Sequence, residues 1–178
     1  MISAGLFEDA SNFDRRFVSD HRRVGEIARS LQTLGVSVVL TSGSFDILHE
    51  GHSLYLEAAR QHGGFLIVGV DSDAKLRERK GPDRPVVPER ERLRMLTHQR
   101  GVGLVTLKQP AHPRWALIRA VRPDVLVATG DTYSHDQIAE LEHGYCGQVV
   151  VLERMATVST TARLRRMQLG LDHVAGEA

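Results

Sequence analysis

Cysteine is almost missing from this chain: Cys146 stands alone among 178 residues. One thiol excludes an internal disulfide and any zinc site built from cysteines, and it fits a reducing compartment, where a buried inert thiol is its expected role. Charge of one sign is lacking too, since 23 Lys and Arg face 22 Asp and Glu for a formal net charge of +1. That balance speaks against a nucleic-acid-binding domain, which normally carries a basic excess. Aromatics make up only 5% of the residues. No apolar run approaches the roughly 18 residues of a membrane span. The start, "MISAGLFEDASNFDRRF", has acidic residues where a signal peptide needs a basic start and an apolar stretch. These absences predict a cytoplasmic protein with neither membrane nor nucleic acid among its partners.

What is present points to one α/β domain, a size at which a core forms without staples. Short runs rich in Val, Leu and Ile, without polar alternation, occur at "VSVVLTSG" (36–43), "FLIVGVDS" (65–72), "GLVTL" (103–107), "DVLVATG" (124–130) and "QVVVLE" (148–153). Strands of that kind are covered on both faces, as in a parallel sheet. Between them, residues 14–35, 51–63, 88–100, 112–122 and 134–144 repeat apolar positions every three to four residues. In the first of these, Val24, Ile27, Leu31 and Leu34 form one stripe. The order predicts a Rossmann-like, doubly wound parallel sheet of five strands in a single domain. Expected bounds are an N-terminal extension and helix start at 1–23, the domain at 24–170 and a frayed tail at 171–178.

In such a sheet, ligands bind beyond the carboxyl ends of the strands, where strand order reverses. "GSFDILHEGH" (43–52) follows the first strand. Gly43 and Ser44 allow a tight turn with exposed N–H groups, Asp46 can fix that turn, and Gly51 lets a ligand approach the next helix start. That start has free N–H groups and a positive dipole end, which suits an anion. His49 and His52, three apart, can both turn an N–H toward one phosphate. Two other readings stand beside this: a zinc site with His62, and a merely structural histidine pair. Against zinc, no carboxylate or third ligand has a recognisable spacing.

The same stretch resembles the Gly-x-Phe-Asp-x-x-His-x-Gly-His signature of the cytidylyltransferase-like nucleotidyltransferases, which join a nucleoside triphosphate to a phosphorylated small molecule. Three further stretches, in family order, are similar to that superfamily: "VDSDAKLRERKGPDRPVVPERER" (70–92), "VRPDVLVATGD" (121–131) and "ERMATVSTTARL" (153–164). Within it, Ser72-Asp73-Ala74 and "KGPDRPV" (80–86) look like the nucleotidyltransferase domain of ADP-heptose synthases, the D-glycero-β-D-manno-heptose 1-phosphate adenylyltransferases. Ala128 stands where that branch typically has lysine. Arg100 and Arg154 fall where glycerol-3-phosphate cytidylyltransferases have arginine.

The resemblance implies transfer of a nucleoside monophosphate from ATP to heptose 1-phosphate. Alternatives are a CTP-dependent transfer to glycerol 3-phosphate or another polyol phosphate, and an inactive nucleotide-binding module. It implies catalytic roles for His49, His52 and Lys80. Nucleotide contacts would come from Gly43, Ser44, Phe45, Gly51, Arg92, Asp131, Arg154, Ser159, Thr160 and Thr161. Acceptor contacts would come from Asp46, Lys80 and Arg100. Core packing is the expected role of Trp115. Mg2+ is expected to arrive with the triphosphate, held by phosphates and water, with no metal residue in the chain. A homodimer is expected on the resemblance alone, as is a separate sugar kinase that supplies the acceptor.

Overall fold

A computed structural model describes residues 13–153 and 155. Its strands are β1 (Val38–Gly43), β2 (Phe65–Asp71), β3 (Val102–Lys108), β4 (Val125–Thr129) and β5 (Gln148–Leu152). The helices are α1 (Phe13–Arg16), α2 (His21–Thr33), α3 (Glu50–Arg60), α4 (Asp73–Lys80), α5 (Glu89–Thr97), α6 (Ala116–Val121) and α7 (His135–Gly144). All five strands pair in parallel in the order β3-β2-β1-β4-β5. The chain builds outward from β1 to β3 and then crosses back to β4 on the other side of β1. The carboxyl ends of β1 and β4 therefore flank the switch point.

Alternation along the strands feeds two cores. Val39, Val68, Val105 and Val127 face α3 and α5, meeting Tyr55, Leu56, Leu93 and Leu96. Val38, Leu40, Ile67, Leu104 and Leu126 face the other way, meeting Val24 and Ala28 of α2, Leu117 and Val121 of α6 and Leu141 of α7. With both faces covered, the strands need no polar side, and so they read as continuous apolar runs. At Gly25 α2 lies directly against α6: a Cβ there would lie 2.2 Å from the Ala120 carbonyl oxygen.

The segment expected as one helical stretch, 14–35, is split. Val18 N donates to Val105 O at 3.0 Å, and Phe17 pairs with Val105 as an isolated bridge. Asp20 then caps α2 by accepting from Arg22 N. The apolar stripe of α2 is correspondingly shorter than expected, because Leu34 lies past the last turn and is 79% exposed. Residues 112–115 are likewise not helical, and α6 starts only after Trp115, whose φ is +60°. Trp115 packs against the α2–α6–α7 core, beside Tyr133 and Tyr145. Among the described residues no helix is long and apolar enough to cross a membrane. Cys146 is partly buried, and burial followed by Glu142 raises its pKa to about 11, which leaves an unreactive thiol.

Candidate functional site

The loop after β1 is shaped by its own aromatic residue. Phe45 is buried with φ +47°, an uncommon conformation for a bulky side chain. A Cβ on Gly43 would lie 3.0 Å from the Phe45 ring, so the glycine leaves room for that ring. Phe45 in turn packs on His52, with ring centroids 5.4 Å apart. Thr41 and Tyr55 anchor the two ends of the loop: their hydroxyls are 2.7 Å apart, and Thr41 also donates to Val127 O. The start of α3 is thereby held at the junction of β1 and β4.

His49 is the N-cap residue of α3, in extended conformation and with no side-chain capping bond. The free helix start is left to the backbone N–H groups and the dipole. Gly51 and His52 occupy the first turn. The two imidazoles stack at 3.9 Å with their planes 25° apart. Two cations so close would repel, and His52 responds accordingly. Burial first, then His49 and Lys80, lower its pKa to about 4, against a smaller opposing contribution from the Ile47 backbone. His52 is therefore neutral near pH 7, and its buried Nδ1 has no hydrogen-bond partner among the described residues.

Lys80 ends α4 and reaches back to this loop, its Nζ 3.3 Å from Ser44 Oγ. Partial burial, then Arg79 and Arg84, lower its pKa, while Asp46 and Asp71 oppose the shift. Next to it, residues 81–88 fold over the histidine loop. Asp46 holds them there: one carboxylate oxygen accepts from Val86 N at 2.8 Å and Val87 N at 3.0 Å, and the other from Arg84 at 2.7 Å.

Arg92, only 1% exposed, joins the same assembly. Nε donates to Val87 O at 2.9 Å, Nη2 to Asp73 Oδ1 at 2.8 Å, and Nη1 to Ser44 O. Glu89 completes the link between α4 and α5 by accepting from Asp73 N at 2.7 Å. The structure thus presents Asp46 and Arg92 as ties between loops, with their polar atoms directed at protein partners. The sequence pattern alone turns Asp46 to an acceptor and Arg92 to a phosphate.

The other expected residues divide by position. Asp131 lies just past β4, exposed, and accepts from Thr129 Oγ1 at 2.9 Å. Ala128, buried in β4, leaves the place of the usual lysine without a cation. Arg100 precedes β3 and so lies at the amino end of the sheet, away from His49 and His52 at the carboxyl end. The fold does not bring it to them as an acceptor ligand. Arg154, Ser159, Thr160 and Thr161 lie outside the described residues.

One group at the strand ends belongs to none of the sequence motifs. Asp71 closes β2 with its side chain 2% exposed, Arg79 at 3.0 Å from one oxygen and Lys108, the last residue of β3, at 3.2 Å from the other. Burial lowers the pKa of Lys108, with Asp71 opposing. Beside them, Thr106 has a fully buried hydroxyl without a partner among the described residues. Their mark in the sequence is position alone, since polar residues that end apolar parallel strands lie at the ligand-binding edge.

A profile described as cytidylyltransferase-like matches residues 40–166, most of the chain. Among curated proteins, the bifunctional protein HldE of a Nitratiruptor species is 36% identical over 152 residues, covering 85% of this chain and 32% of that protein. The bifunctional protein HldE of Hahella chejuensis is 35% identical over 166 residues, covering 86% of this chain and 34% of that one. The chain spans about a third of the length of these relatives. Among solved structures, the lipopolysaccharide core biosynthesis protein of Thermoplasma volcanium superposes with a TM-score of 0.56 at 26% identity, covering 70% of this chain and 100% of that one. The pantoate-beta-alanine ligase of Francisella tularensis, at 12% identity and a TM-score of 0.57 over 78% of this chain and 66% of that one, shares the fold.

Proposed function

The chain belongs to the cytidylyltransferase-like family of nucleotidyltransferases, and from that premise we propose that it transfers adenylate from ATP to a heptose 1-phosphate, making ADP-heptose in the cytoplasm. An oxygen of the acceptor phosphate attacks the α-phosphorus in line. The new P–O bond forms as the bond to the α–β bridging oxygen breaks, and pyrophosphate leaves with that electron pair. The attacking phosphate is already an anion, so no general base is required. Alignment and charge stabilisation are what the protein must supply.

The observation that carries this reading is the stacked pair His49–His52 at the open start of α3, with Lys80 beside it. His52, neutral before substrate arrives, offers an N–H donor to a triphosphate oxygen, and the helix start offers backbone N–H groups. Lys80 supplies the mobile positive charge. Mg2+ would enter as the companion of the triphosphate, held by phosphate oxygens and water. The heptose assignment rests on the relatives named HldE and on the likeness to the lipopolysaccharide core biosynthesis protein. The acceptor phosphate would be installed by a separate kinase, and the enzyme would act as a homodimer.

Pyrophosphate release, measured with ATP or CTP against a panel of sugar 1-phosphates and polyol phosphates, tests this proposal. Release with ATP and a heptose 1-phosphate is expected. A preference for CTP and glycerol 3-phosphate overturns the adenylyl assignment, and no release with any pair overturns the reaction. His52→Ala should lower turnover about 100- to 1000-fold, as for loss of one transition-state donor.

A further inference from the structure

Arg16, Arg60, His98 and Arg100 are scattered in sequence and belong to none of the motifs that form the cradle. The fold gathers them at the amino ends of β2 and β3, where they line a cavity of about 490 Å³ floored by Leu66 and Val102. Arg16 and Arg60 are the last residues of α1 and α3, and the other two lie in the turn after α5. Among the described residues no Asp or Glu lines the cavity. None of the three arginines forms an ion pair with a described carboxylate. By contrast, Arg84, Arg92 and Lys108 each have a carboxylate oxygen within 3.2 Å.

The arginines are also held in place. Arg16 donates through Nη1 to Thr97 O at 2.8 Å and to Val102 O at 3.3 Å, and Arg60 donates through Nη1 to Gly63 O. These bonds occupy carbonyls near the ends of α5 and α3 that would otherwise repel an anion. They leave Nε and Nη2 of both side chains with N–H groups to give. Gly101, with φ +85°, lets the Arg60 stem lie close, since a Cβ there would sit 3.1 Å from Arg60 Cγ. Arg100 has no hydrogen-bond or ion-pair partner among the described residues. Three guanidinium groups around one concavity, none paired with a described carboxylate, match a multivalent anion in charge and in fork geometry. The volume suits a small metabolite.

We propose that this cavity is a second anion site, for a small phosphate ester, separate from the triphosphate cradle at the opposite end of the sheet. It also has a route to that cradle. Gln99 in the cavity wall accepts a 2.9 Å hydrogen bond from Ser53, the residue after His52 in the first turn of α3. An anion that shifts the 98–101 turn therefore registers at that turn of α3.

Titration of the whole chain with inorganic phosphate, followed by amide chemical shifts, separates the two sites. The amides of Gly101 and Gly103 report the cavity, and those of Gly43 and Gly51 the cradle. Saturable shifts are expected in both sets, with different midpoints, and part of the Ser53 shift should follow the cavity midpoint. Arg60→Gln should weaken the Gly101 and Gly103 response at least tenfold and leave the cradle midpoint within twofold. Should Arg60→Gln fold poorly, Arg100→Gln, which breaks no internal bond, should weaken the same response. Gln99→Ala should remove the cavity component from Ser53 alone. Absence of a saturable response at Gly101 and Gly103, or one unchanged in both arginine variants, overturns the site. So does a change from dimer to monomer in Arg60→Gln with no phosphate response, which would mean that an acidic side chain of a second copy fills the cavity.

Discussion

His52 shows how a single residue couples the site to stability. Unfolded, it titrates near 6.5; folded, burial and the neighbouring His49 and Lys80 hold it to about 4. As pH falls below about 6.5 the unfolded chain takes up a proton that folded His52 does not, so stability declines down to about pH 4. Above about 6.5 both states are neutral at this site, and the residue adds no pH dependence. His52→Asn should therefore lose less thermal stability than the parent between pH 7 and 4.5. Equal slopes in the two melting series would refute this account of the burial. Some slope should remain in the variant, because burial also lowers the pKa of His21. The sequence placed both histidines at a helix start by spacing alone. That His52 is neutral came from neighbours the spacing does not reveal: the Phe45 ring, and Lys80 twenty-eight residues on.

At the scale of elements, the loop from Gly81 to Pro88 is positioned by Asp46 more than by its own chemistry. Both oxygens of that buried carboxylate are engaged, on two backbone N–H groups and on Arg84. Asp46→Ala removes the acceptor of the Val86 and Val87 N–H groups and the carboxylate that faces Arg84, and should destabilise the fold by about 3 kcal/mol in urea unfolding, the scale of a broken buried pair. Tryptic cleavage after Lys80 should quicken in the same variant, and Asp46→Asn, which keeps an acceptor oxygen, should recover part of both losses. Unchanged cleavage in Asp46→Ala would show that other contacts hold the loop. The strands were legible to within two residues, because a doubly covered strand must be apolar throughout. The helices were less so: the 14–35 segment breaks where residues 17–18 pair with Val105, a contact 87 or more positions away that helical periodicity cannot register.

For the molecule as a whole, one sheet ties two cores together, so damage to either face should be felt globally. Leu56, fully buried in α3 against β1 and β2, tests this. Leu56→Ala should cost about 3 kcal/mol of cavity and transfer free energy, and unfolding should stay a single transition. Separate transitions by fluorescence and circular dichroism would mean that the two faces melt independently. By itself, the sequence determined the class of the fold, the five strands, and the turn and helix start at residues 43–52, all of which rest on local pattern: apolar runs, helix starts and a glycine turn. Only the tertiary structure decided that Asp46 and Arg92 serve as ties between loops, that Arg100 belongs to the far end of the sheet, and that Asp71 and Lys108 meet at the near one. Those outcomes depend on which distant groups come within about 3 Å of a charge, and a parallel sheet with an order reversal brings such groups together without leaving a repeat in the sequence.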